Sequence, residues 1–182
     1  MTSHNGSQSW IVVAGVAAAL LSGPTTVAAV WLAAAAGFVV LPDGAAKFFG
    51  PQGREQDLTE VLATAEQTGG SLGMFRQTIA PGKGPATHVH QTEDEFFYIV
   101  SGEFKLKLGE RVMNAPAQSV MFVPRGTAHT FLNVGTEPGV LLVGVTPGGL
   151  EGMFAKRQGV DAETNRMLMK AHNTEIVGPP LQ

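Results

Sequence analysis

The sequence predicts an all-β protein, a sandwich or barrel of short strands, carrying short helices at its C-terminal end and an apolar segment at its N-terminal end. Three observations point there. Charged residues make up 15% of the 182 positions, while glycine occurs 23 times and proline 11, the texture of short elements joined by tight turns. From Leu58 onward, brief apolar runs alternate with loop punctuation such as "GTEPG" and "TPGG". In "EFKLKLGE", Phe104, Leu106 and Leu108 alternate with Lys105 and Lys107, the period of two that gives a strand one dry face and one wet one.

In chain order, residues 1–42 come first, with no acidic or basic side chain before Asp43 other than His4. Two apolar runs, 10–21 and 27–41, are broken by "SGP", and each is shorter than the ~20 residues a membrane-spanning helix needs. The expectation is export or anchoring, with membrane contact through residues 10–41. The first run then serves as a signal-peptide core with small-residue cleavage sites around Ala28, Ala29 and Ala35, or the second run as an anchor helix. No Lys or Arg precedes the first run, and an Ala-rich hairpin packed on the domain or a partner, in a cytoplasmic protein, is the competing reading. Residues 43–149 form the expected barrel, with strands at "SLGMFRQTIA", "ATHVH", "DEFFYIVSG", "EFKLKLGE", "SVMFVP", "HTFLNV" and "GVLLVGVTP". Residues 150–182 read as a helical tail. "LEGMFAKRQ" and "DAETNRMLMKAHN" lack β-branched runs, Asp161 is a suitable cap with Glu163 and Thr164 in the first turn, and "GPP" closes the domain.

Composition removes whole classes of function. Twelve basic against fifteen acidic side chains give a net charge of −3, with no basic run, so nucleic acid is not an expected partner. The absence of cysteine removes disulfides, thiolate nucleophiles and cysteine zinc sites, leaving histidine and carboxylate as the strong metal-binding side chains.

The chemistry concentrates in "THVHQTEDEFFYIVSGEF", residues 87–104. Residues two apart on a strand share a face, so His88 and His90 project together, and Glu95 at the start of the next strand faces the same interior. His129 opens the strand "HTFLNV". Three neutral imidazoles and one carboxylate on neighbouring strands suit a divalent transition metal: iron, manganese, nickel, copper or zinc. Glu95 is either a fourth ligand or a catalytic proton acceptor. Phe97, Ile99 and Phe131 share interior parity with Glu95 and His129 and are candidates to line a pocket. Glu93 and Asp94 read as solvated turn residues, Asn133 as a side chain that orients backbone, and His4 and His172 as surface residues. Phe96, Tyr98 and Val100 face outward, where they offer the contact of a homodimer.

The spacing of Gly82, His88, His90, Glu95 and Gly102 resembles the first motif of the cupin superfamily, and Pro124, Gly126, His129 and Asn133 resemble the second. Gln118 stands where the second motif opens with glycine. The flanks "TGGSLGMFRQTIAPGKGP" and "EIVGPPLQ" are similar to those of quercetin 2,3-dioxygenase-like monocupins, and the likeness spans roughly 58–181. What the resemblance implies is a jelly-roll barrel, the double-stranded β-helix. It also implies metal held by His88, His90, Glu95 and His129, and a metal-dependent oxidoreductase acting with O₂ on a small aromatic or enolisable molecule. The alternatives are a redox-neutral isomerase or lyase at the same metal, and a small-molecule-binding cupin without turnover.

Overall fold

The structure is a computed structural model that describes residues 44–182; the expected leader or anchor, residues 1–42, lies outside the described residues. Among the described residues, no helix is long and apolar enough to cross a membrane. Eleven strands among the described residues form two antiparallel sheets. The six-stranded sheet runs β1 (Ala46–Phe49), β2 (Leu58–Ala63), β3 (Gly73–Ile79), β10 (Gly139–Thr146), β5 (Asp94–Ser101), β8 (Val120–Val123). The five-stranded sheet runs β11 (Thr174–Pro180), β4 (Ala86–His90), β9 (His129–Asn133), β6 (Glu103–Leu108), β7 (Arg111–Pro116). Neighbours in a sheet are mostly distant in sequence, the wrapped arrangement of a jelly roll.

The alternation in the sequence becomes the division between core and solvent. On β10, Leu141, Val143 and Val145 are fully buried, and on β6, Phe104 and Leu106 point inward while the two lysines are less covered. Together with Phe75, Ile79, Phe97, Ile99 and Phe131 they fill the space between the sheets. Full burial of each such side chain contributes about 1.5–3 kcal/mol, which is what holds two sheets of short strands face to face. On the opposite face of β5, Phe96 is half-buried while Tyr98 and Val100 are exposed; across the pairing with β8, Phe96 lies opposite Phe122 and Tyr98 opposite Val120, both exposed.

Two turns show what the chain needs locally. Gly102 has φ 92°, and a Cβ there would lie 2.8 Å from the Gly139 Cα, so glycine is required between β5 and β6. Gln118 adopts φ 71° before β8 without being glycine, and its N–H donates to the Ile99 carbonyl, which holds the left-handed turn in place.

Asn133 is fully buried at the end of β9. Its Nδ2 donates to the carbonyls of Ile79 and Glu137, and its Oδ1 accepts from the Gly135 N–H, so one side chain ties three stretches of backbone. Asn133→Ala leaves those groups without partners in a dry environment and should cost about 2–4 kcal/mol, measurable as a lowered urea midpoint. An unchanged midpoint would contradict this role.

After β10 the chain forms a 3₁₀ turn (Leu150–Met153), a short helix α1 (Phe154–Arg157) and a longer helix α2 (Ala162–Ala171). Asp161 caps α2 as its sequence position indicates, accepting from the Thr164 N–H at 2.7 Å. The tail differs from the expected helical one in its last part: Thr174–Pro180 is a strand that pairs along β4. That pairing satisfies the open edge of β4, a long-range gain to which local propensity is blind.

Candidate metal centre

His88 and His90 lie on β4, with β9 on one side of that strand and β11 on the other. Register places His88 opposite His129, the first residue of β9, and His90 opposite Thr174, the first residue of β11. Glu95 reaches the same point from β5 in the facing sheet. The imidazole centroids are 4.4 Å apart for His88 and His129, 5.0 Å for His88 and His90, and 5.2 Å for His90 and His129. One candidate ligand atom from each of the four residues lies within 4.8 Å of the others, and all four side chains are buried.

Hydrogen bonds on the far side of each ring decide what faces the centre. His88 Nδ1 lies 2.8 Å from the Ala86 carbonyl and His129 Nδ1 3.0 Å from the Thr127 carbonyl; a carbonyl only accepts, so both Nδ1 atoms carry the proton. His90 Nδ1 lies 2.9 Å from Thr174 Oγ1, whose own proton is donated to the His172 carbonyl, so His90 Nδ1 also donates. All three Nε2 atoms are thereby left as lone pairs in the neutral rings. Yet Glu95 Oε2 sits 2.8 Å from His129 Nε2 and 3.1 Å from His90 Nε2. Lone pairs and a carboxylate meet at that distance only around positive charge, either an added proton or a metal ion. The His90 contact lacks hydrogen-bond geometry, and its Nε2 is buried without a partner.

Ionisation follows the same pattern. Burial opposes charge on Glu95, but the hydrogen bond to His129 and the close approach of the His129 and His90 rings hold its carboxyl well below the usual carboxylate range. Burial likewise opposes protonation of His129, and the bond to Glu95 and its charge outweigh it, raising the imidazole above its ordinary value. His88 is pushed down to about 3 by burial first, then by His129 and His90. Without metal, then, the cluster holds one proton between His129 and Glu95 beside neutral His88. Three imidazole nitrogens and one carboxylate oxygen, buried and oriented from behind, fit a divalent transition metal. A metal must displace the His129 proton. Zinc affinity should therefore fall by about tenfold per pH unit once pH drops below the raised value of His129, so the loss begins above the ordinary imidazole value of about 6.5. Competition titrations from pH 8 to pH 5 check this, and a flat profile would contradict ligation by His129.

The cluster opens into a cavity of about 280 Å³ with His88, His90 and Glu95 on its wall, together with Phe75, Phe97, Phe131 and Phe154. Phe97 and Phe131 thus stand where their parity places them. Ile99 does not: it is fully buried in the core and absent from the cavity wall. Glu93 is buried rather than solvated, and Asp94 is held by Arg125 through a paired contact to its guanidinium and a backbone N–H. His172 is half-buried and apart from the cluster, and His4 lies outside the described residues. The side chain that sequence reasoning missed is Thr174. The signal for it was the β-rich "TEIV" at the end of a stretch read as helical.

Comparison with known proteins agrees with this geometry. The model of the cupin domain family matches residues 75–145, which include all four donors. The tetracenomycin polyketide synthase protein TcmJ of Streptomyces glaucescens is 24% identical over 98 residues, 53% of this chain and 66% of that protein, so the chain spans just under two thirds of its length. The structure of KdgF from Halomonas superposes with a TM-score of 0.54 at 15% identity, covering 64% of this chain and 98% of that one. A predicted oxalate decarboxylase from Thermotoga maritima superposes with a TM-score of 0.52 at 21% identity, covering 60% and 99%. These likenesses to solved structures show the barrel, and the family match falls on the strands that build the cluster: residues 75–145 form a cupin domain.

Proposed function

We propose that His88, His90, Glu95 and His129 hold a divalent transition metal and that the protein is a metal-dependent, dioxygenase-like oxidoreductase acting on a small aromatic or enolisable molecule. The observation that carries this reading is the buried donor set opening into a phenylalanine-lined cavity. When bound, such a metal supplies a Lewis-acidic centre for substrate oxygens and the electronic route to O₂. The residues supply the rest. Phe97 and Phe131 flank a flat ring and keep water from it. Glu95, ionised and at the heart of the cluster, takes the proton of an incoming hydroxyl at Oε2. The name of the curated relative, a polyketide synthase protein, supports an enolisable substrate, since polyketide chains are rows of β-dicarbonyl units.

The test is oxygen uptake by the metal-loaded protein with a flavonol and a catechol. Uptake in proportion to bound metal is expected, and turnover undiminished without air would replace this reading by an isomerase or lyase. The same reading includes a homodimer through Phe96, Tyr98 and Val100 with Val120 and Phe122, and export or anchoring through residues 10–41. Sedimentation equilibrium and intact mass with cell fractionation check these two parts. A monomer would remove the first, and an unprocessed chain in the soluble fraction would remove the second.

A further inference from the structure

The wall of the cavity away from the histidines is made by α1 and α2, and it contains two polar side chains whose bonding is incomplete. Arg157, at the end of α1, lines the cavity, and its Nε is buried without a hydrogen-bond partner. Among the described residues no carboxylate lies within ion-pair distance of its guanidinium; the nearby Asp57 is taken by Arg54, 2.5 Å from its Nε. Asn165 on α2 lines the same wall, and its Oδ1 is likewise buried and unpartnered.

Arg157 is half-buried, and its buried N–H without an acceptor is costly to maintain because that donor has lost water without gaining a partner. Burial accordingly pushes Arg157 down to about 10, and it remains charged at neutral pH. It is also held in place. Its Cζ lies 5.8 Å from the ring centroid of Phe154, and that ring packs edge-on against Phe75 with centroids 4.7 Å apart. An oriented, unpaired fork of N–H donors at the edge of an apolar cavity is a receptor for a planar anion.

We infer that the substrate is an acid: a small molecule with an apolar body whose carboxylate is received by Arg157, with Asn165 accepting from a donor on the same ligand, while its reacting end faces His88, His90 and Glu95. A carboxylate is favoured over a phosphate because one unpaired guanidinium balances one negative charge, and the other arginine on this wall is already paired. The inference rests on the proposed function for the identity of the reacting end only; the anion subsite stands on Arg157 and Asn165.

The test is calorimetry on the full chain, zinc-loaded and chelator-treated, with benzoate, benzamide and phenyl phosphate as probes. Benzoate should bind about tenfold or more tightly than its neutral isostere benzamide in both forms. Arg157→Gln should abolish the difference, and Arg157→Lys should keep part of it. The chelator-treated arm matters because benzoate has no metal to coordinate there. Equal binding of benzoate and benzamide by the wild-type protein, a preference that survives Arg157→Gln, or a preference for phenyl phosphate would each overturn the assignment. Should Arg157→Gln fail to fold, the wild-type comparison still decides. Zinc content of the same samples separates the two readings. Benzoate preference without zinc binding refutes the proposed metal function alone, and zinc binding without benzoate preference refutes the anion subsite alone.

Discussion

Replacing His129 with alanine should weaken zinc binding by at least ~100-fold and, in the metal-free protein, lower stability by about 3–5 kcal/mol. The two effects share one cause. His129 is fully buried, is the nearest partner of Glu95 at 2.8 Å, and supplies the positive charge that keeps that buried carboxylate ionised. Without the ring, the metal loses a ligand and Glu95 is left charged in a dry interior, where it must either take up a proton or destabilise the fold. A second substitution separates the terms: Glu95→Gln added to His129→Ala removes the stranded charge and should recover part of the stability but none of the zinc affinity. Urea unfolding and zinc titration on the single and double variants read both quantities. Unchanged zinc affinity in His129→Ala would remove His129 from the centre.

Thr174→Val should lower zinc affinity by about 10–100-fold with little change in shape at the site. Valine matches threonine in volume but cannot accept the His90 Nδ1 proton. Deprived of that acceptor, His90 is free to place its proton on Nε2 instead, where it blocks the metal, or to turn its ring. Thr174→Ser keeps the hydroxyl and should restore most of the affinity, a recovery that a purely structural role for the methyl group would not produce. Equal affinities for wild type and Thr174→Val would show that the bond to β11 does not orient His90.

These two substitutions mark where the sequence was legible and where it was not. The pairing of His88 with His90 and the inward aim of Glu95 follow from strand parity, which is a local property of five or six residues. Parity also placed Phe97 and Phe131 on the cavity wall, but it placed Ile99 there too. Facing inward is necessary for lining a cavity and not sufficient, because the position along the barrel decides whether an inward side chain meets open space or the packed core. Asn133 was legible as a backbone organiser, since a buried amide beside a turn has few other uses. Thr174 was not. Its strand contains a glycine and two prolines, which local propensity counts against a strand, and it is a strand because β4 offers an open edge to pair with. Strand β7, with exposed positions in succession, escapes the period-two pattern for a similar reason: β6 supplies the pairing and the core needs little from it. Burial of Glu93 is likewise a tertiary outcome, since "QTED" alone reads as a wet turn.

The central claim is that three imidazole Nε2 atoms and one Glu95 oxygen converge on a single cation. X-ray absorption of the zinc-loaded protein tests it most directly, because the scattering pattern of imidazole counts the rings bound to the metal. The account predicts three histidine nitrogens at roughly 2.0–2.1 Å, with an oxygen ligand at a similar distance. A first shell with two histidines or fewer would contradict it.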